Sequence, residues 1–195
     1  MKKIFSLLIL LFACSSIVSA FDFSKMLNQP SAKAVSEIDL SKFQGLWYEI
    51  ARLPFYFERN CYCSIANYEF NTNGTLHIKN TCAWKTPEGE IHSADGEALP
   101  VEPMEGSKTN GYFKVYLFNV VSVPYVVLAV DKHYNYAMIG SPRANKLWIL
   151  SRKPSLDDKI YYQLVDQARS QGFDTTNIIK TYQGPSCNRE RLLEI

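Results

Sequence analysis

Between Gly45 and Arg152 the chain runs in short stretches rich in β-branched and aromatic residues, each ended by a cluster of turn formers. This punctuation constrains the fold more than any other feature. Strands are expected near 45–52, 62–70, 75–82, 90–99, 111–118, 124–131, 135–140 and 146–152. The hairpin signal is strongest at Asn71-Thr72-Asn73-Gly74, where Asn-Gly accepts the positive φ of a tight turn. Further turns are expected at Pro87-Glu88-Gly89, Glu105-Gly106, Asn110-Gly111 and Ser141-Pro142.

Alternation gives the strands their faces. In Tyr112-Phe113-Lys114-Val115-Tyr116-Leu117, Lys114 belongs to the wet side, which leaves Phe113, Val115 and Leu117 inside. Tyr125 to Val130 is apolar at every position, so both faces of that strand need cover. The cover is a helix expected at about 156–171, with Ser155 as N-cap, Asp158 three residues later and Gly172 as its stop. Leu156, Ile160, Tyr161, Leu164, Val165 and Ala168 form its apolar stripe. A short helical turn at Asp39–Phe43 precedes the strands and a last strand at 177–182 follows the helix. The expected fold is all-β: an eight-stranded up-and-down antiparallel barrel with one amphipathic helix packed outside. Closure removes the sheet edges, and eight strands enclose just enough space for packed side chains or one small ligand.

The first twenty residues read as an address. Met1-Lys2-Lys3 and an apolar run from Ile4 to Ala13 have the form of a secretory signal. Val18-Ser19-Ala20 ends like a signal-peptidase site, which would give a mature start at Phe21 and a soluble periplasmic or secreted protein. Leu10-Leu11-Phe12-Ala13-Cys14 resembles a lipobox, which would place an acyl anchor on Cys14. Residues 21–36 read as a linker, 37–187 as the barrel unit and 188–195 as a tail. Lys plus Arg total 21 against 19 Asp plus Glu; without Lys2 and Lys3 the count is 19 against 19. Such a balance excludes a general nucleic-acid binder and leaves membrane attachment to a lipid on Cys14. Cys61, Cys63, Cys82 and Cys187 survive export and are expected to form two disulfides. Neither a metal site nor a cofactor is expected, because Cys61-Tyr62-Cys63 lacks the two-residue gap of a zinc knuckle and His77, His92 and His133 are scattered.

Gly45-Leu46-Trp47-Tyr48-Glu49 resembles the first motif of the lipocalins, Gly-x-Trp on the first barrel strand. Asp131-Lys132-His133-Tyr134 is similar to the family's second motif, with Val130 where Thr is usual, and Leu147-Trp148-Ile149-Leu150-Ser151-Arg152 to the third. Trp47-Tyr48-Glu49-Ile50-Ala51-Arg52 and Trp148 to Pro154 most resemble the bacterial outer-membrane lipocalins and apolipoprotein D. The resemblance implies that Trp47 plugs the closed end, that Arg152 lies across its ring, and that Gly45, Asp131 and Tyr134 are scaffold residues at that end. It also implies a disulfide between Cys63 and Cys187, with Cys61–Cys82 as the second. A count around the Asn73-Gly74 turn allows Cys63–Cys82 almost as well.

If Trp47, Trp148, Leu150 and Arg152 share the inner face, period two puts Glu49 and Ala51 inside as well. The family pattern adds Ser64, Ala66 and Tyr68, then Tyr125, Val127 and Ala129. With Phe113, Val115 and Leu117 these make an apolar cup suited to an acyl chain. Burying about 14 methylenes at roughly 0.8 kcal/mol each gives on the order of 11 kcal/mol gross, which points to micromolar or tighter binding after ordering costs. Glu49 must be paired, protonated or exposed in such a cup. The expected function, as the resemblance implies it, is an exported carrier of fatty acids or lysophospholipids on the periplasmic side of the outer membrane. The sequence contains no catalytic motif, so a binding protein rather than an enzyme is expected. The competing readings are a tetrapyrrole carrier, a thiol-dependent isomerase using a strand cysteine, and a homodimer joined through Tyr and Phe at the open rim.

Overall fold

The computed structural model describes residues 32–101, 108–117 and 121–194. The signal segment 1–20, Cys14, most of the linker and the Glu105-Gly106 turn lie outside the described residues. Eight strands make the barrel: β2 (Gly45–Arg52), β3 (Cys61–Phe70), β4 (Leu76–Trp84), β5 (Ile91–Pro100), β7 (Tyr112–Leu117), β8 (Val121–Val130), β9 (Tyr136–Gly140) and β10 (Leu147–Ser151). Each pairs antiparallel with the next, and β10 returns to β2 with Trp148 opposite Arg52 and Ser151 opposite Tyr48. Two further strands of two residues, β1 (Ile38–Asp39) and β6 (Lys108–Thr109), pair with each other. Gly74 takes φ +85 in the first hairpin turn, and its N–H donates to the Asn71 carbonyl at 3.0 Å.

Three barrel ladders carry a register shift, β3–β4 between Tyr62 and Ile65 among them, and the other two turn residues expected in the lumen away from it. The β2–β10 ladder skips Ile50, and the β8–β9 ladder skips Leu128. One extra residue reverses the faces that follow it. Ala51, which period two puts inside, and Ala129, which the family pattern puts there, therefore pack against the outer helix, while Arg52 and Val130 turn inward.

That helix, α2 (Asp158–Ser170), follows α1 (Leu40–Phe43) in chain order and precedes α3 (Arg189–Leu193). Its N-cap is Asp157 rather than Ser155: the Asp157 carboxylate accepts from the N–H groups of Lys159 and Ile160 at 2.9 and 3.2 Å. A carboxylate there also favours the positive end of the helix dipole, which a hydroxyl does not. Gly172 at φ +90 ends the helix as expected, with its N–H on the Arg169 carbonyl and that of Phe173 on the Ala168 carbonyl. Leu164, Val165 and Ala168 cover Val126, Leu128, Met138 and Ile149, so the continuous apolar run of β8 is buried on both faces. Residues 32–35 close the same face, with the Val35 N–H on the Val127 carbonyl at 2.9 Å.

The C-terminal stretch mends a hole in the wall. Strands β2 and β3 pair only from Gly45–Tyr48 to Ile65–Tyr68; beyond that they part. Strand β11 (Ile179–Lys180) pairs with Arg52 and Ala51, and the Thr181 N–H continues to the Ile50 carbonyl. On the other side the Cys63 N–H donates to the Tyr182 carbonyl at 2.9 Å, and Gln183 Nε2 reaches the carbonyls of both Glu49 and Ser64. The Cys63–Cys187 disulfide locks this insertion, and Cys61–Cys82 joins β3 to β4.

The opposite end is sealed by Trp47 and Arg152. The guanidinium lies 3.7 Å over the indole ring and donates to the carbonyls of Lys42, Phe43, Gln44, Leu46 and Tyr134. Trp47 Nε1 donates to the Phe43 carbonyl at 2.8 Å. Asp131 accepts from Asn135, and the Tyr134 hydroxyl accepts from the Asp39 N–H. Gly45 is required here by its φ of +91, since an added Cβ would meet Arg152 only at ordinary contact distance. Lysine can supply the charge of Arg152 but not its fork of donors. Arg152→Lys should lower the unfolding free energy by about 1–3 kcal/mol in urea titrations.

Candidate binding site: the lumen and its polar collar

The lumen is apolar near the sealed end and polar near the other. Phe43, Tyr68, Leu76, Phe113, Val127 and Ile139 converge in its lower half. Ala66, Val115, Trp148 and Leu150 join the same inner cluster, and Tyr125 packs on it half-buried. The side chain of Leu117 is not among those described. The cavity that Phe43, Tyr68, Leu76, Phe113, Tyr125, Val127 and Ile139 line in the lower half measures about 10 Å³, room for roughly one water. Phe43, Phe113 and Tyr125 fill what small residues were expected to leave open, and Ala129 is not among them.

Tyr68 on β3 and Tyr125 on β8 sit on strands that are not neighbours in the sheet, and their phenols approach across the lumen closely enough to act on each other. Burial pushes both phenols well above their ordinary range, so both are neutral.

Above the tyrosines lies a collar of charge. Glu49 and Arg52 are buried, 5% and 3% exposed, and pair at 2.8 Å. The Thr181 hydroxyl donates to the same Glu49 oxygen and accepts from Arg52. Glu49 is thus a structural ion pair that fastens the C-terminal strand to β2; it does not bond to Tyr68. Ser64 is buried, and its hydroxyl has no hydrogen-bond partner among the described residues.

The turn between β2 and β3 adds a residue that no motif or spacing singles out. Glu58 ends a short 3-10 turn, Tyr56–Glu58, and its Oε2 accepts from Trp148 Nε1 at 3.0 Å and lies 3.6 Å from Arg52 Nε. Burial, helped by the Glu49 carboxylate, holds its proton to about pH 8, although the Trp148 hydrogen bond, Arg52 and Lys146 pull the other way. Nothing in its local sequence marks it, because its surroundings come from β2, β10 and the turn before β10. Phe55 packs edge-on to Trp148, while Tyr56 and Phe57 are 69% and 70% exposed at the rim.

All four described cysteines are in disulfides, so no free thiol faces the lumen among the described residues. No cluster of metal-ligating side chains occurs among them either.

Glu58 carries a pH signature. Its carboxyl titrates near 4.5 when unfolded and near 8 when folded, so the folded chain binds more protons between those values. The stabilisation is complete below about 4.5 and is lost as pH rises to 8. Glu58→Gln should flatten this fall in denaturant midpoints measured from pH 5 to pH 8.5.

The lipocalin-like domain family matches residues 38–183. Outer membrane lipoprotein Blc of Vibrio cholerae is 34% identical over 154 residues, which covers 78% of this chain and 87% of that protein. Apolipoprotein D of Cavia porcellus is 32% identical over 172 residues, covering 84% and 85%. Among solved structures, lobster apocrustacyanin A1 superposes with a TM-score of 0.64 at 21% identity, over 85% of this chain and 96% of that one. With the family domain spanning the whole barrel and the three motifs meeting at its sealed end, the chain belongs to the lipocalin family.

Proposed function

We propose that this lipocalin carries a single-chain lipid, a fatty acid or a lysophospholipid, in its barrel. The observation that supports this best is the shape of the polarity: a lumen sealed at one end and apolar below, with charged groups confined to the open half. An amphiphile that enters head-last meets each of its parts in a matching environment. Of the relatives' names, apolipoprotein agrees with a lipid cargo, and outer membrane lipoprotein with a lipid anchor.

The narrow cavity selects among ligands. A flexible acyl chain can advance by displacing one side chain at a time, whereas a rigid tetrapyrrole needs its full volume at once. Tyr125 is the side chain to move, since it is half-buried and exchanging a neutral hydroxyl's contacts for water costs only about 1 kcal/mol. The four paired cysteines leave the isomerase reading without its nucleophile among the described residues.

The place of action is the bacterial envelope, where residues 1–13 direct export and are removed, and an acyl group on Cys14, the new N-terminus, anchors the chain to the outer membrane. Cys14→Ser should then move the protein from the membrane fraction to the soluble one, with a mature mass starting at Phe21. An unchanged membrane fraction would remove the anchor.

Titration with a fluorescent fatty acid should show one site per barrel with a micromolar dissociation constant. Tyr125→Ala should tighten it several-fold by opening the lumen in advance. If neither protein binds any single-chain lipid, the carrier reading is wrong.

A further inference from the structure

The collar holds two carboxyl groups but one guanidinium, and Glu49 takes the greater share of it. Arg52 Nη1 is 2.8 Å from Glu49, and Nη2 is committed to the Glu58 carbonyl at 2.7 Å. Arg52 Nε, buried and without a hydrogen-bond partner among the described residues, stands 3.6 Å from the Glu58 carboxyl. Glu58 is therefore short of countercharge, and with its side chain 23% exposed it can be reached from the open end. Around it stand three rings: Phe55 and Trp148 at 5.9 Å and nearly perpendicular, and Tyr125 at 5.5 Å from Trp148. The Lys146 ammonium already sits 4.7 Å over the Phe55 ring, so this wall accepts such a group.

The geometry points to a head-group site in which the Glu58 carboxylate and the rings of Phe55 and Trp148 hold the ammonium of a zwitterionic single-chain lipid while Lys146 pairs with its phosphate. This rests on the carrier reading above and names the head group that the carrier prefers. An anionic head is the poorer fit, because an added negative charge would meet Glu49 and the same burial that keeps Glu58 protonated.

The proton and the ammonium compete for Glu58. The groups acting on it are Glu49 and Arg52 from β2, Trp148 from β10 and Lys146 from the preceding turn. Tyr68 and Tyr125 below stay neutral, and Arg59 of the same turn is stacked on Tyr56 at 4.0 Å. Preference for the ammonium should therefore rise as pH passes about 8, where Glu58 ionises.

The test compares lysophosphatidylcholine with lysophosphatidylglycerol of the same acyl chain; both carry a phosphodiester, and only the first an ammonium. In the full protein at pH 9 the choline lipid should bind roughly five-fold more tightly, and the ratio should shrink toward pH 6.5. In Glu58→Gln the ratio should stay near one at both pH values; the wild-type pH series stands even if that variant folds poorly. Equal affinities in wild type at pH 9, or a preference that survives in Glu58→Gln, overturn the site. A long-chain amine without phosphate should bind more weakly than the choline lipid, and equal or tighter binding overturns the role of Lys146. If neither lysolipid nor a free fatty acid binds, the carrier reading falls too; if all bind without distinction, only the head-group site falls.

Discussion

The guanidinium of Arg152 is the point on which the barrel closes. Five carbonyl groups, from 42–44, Leu46 and Tyr134, converge on one spot, and each would be costly to leave without a donor. No other side chain offers a planar fan of donors whose face can also rest on an indole. Arg152 thereby ties the start of β2, the loop before β9 and the end of β10 into one floor. Once that end is shut, the open end is the way in, and the polarity of the lumen follows from it.

The polar collar is a consequence of how the wall is completed. Where β2 and β3 part, their backbone groups need partners, and the chain supplies them with its own C-terminal stretch. Fastening that stretch calls for directional contacts, and Thr181 with the Glu49–Arg52 pair provides them. A buried ion pair adds little net stability over an apolar pair of similar volume, but it fixes one arrangement, because losing either partner strands a charge. The same arrangement sets the field in which Glu58 sits. Wall repair and head-group chemistry thus share residues.

Much of this was legible in the sequence. Short alternating runs mark the strands, Asn73-Gly74 marks a hairpin, and Gly172 marks the end of the outer helix, because each depends on local backbone chemistry. The floor was legible through its motif residues, Gly45, Trp47, Asp131, Tyr134 and Arg152. Period-two counting failed at Ala51 and the family pattern at Ala129, because a bulge depends on the partner strand and leaves no mark on its own. Glu58 was invisible for a similar reason: its environment is assembled from segments far apart in the chain. The fullness of the lumen could not be read either, since listing inner residues does not say how Phe43, Phe113 and Tyr125 divide the space between them.

A filled lumen changes what binding means energetically. In an empty cup, every methylene of a ligand gains its full transfer free energy. Here each methylene replaces a side chain already in contact with the wall, so only the difference is gained. That difference depends on depth. Phe43 and Trp47 at the sealed end are wholly buried, and moving them would expose apolar surface and disturb the floor under Arg152. Tyr125 and Phe55 near the open end are only half-buried, and Tyr125 has a hydroxyl that water can satisfy. On the carrier reading proposed above, a chain pushing inward meets a rising resistance and stops near Tyr68, with its head at the level of Glu58 and Trp148. On that reading the packing of the lower half, rather than any stop built from charge, sets where the head group comes to rest.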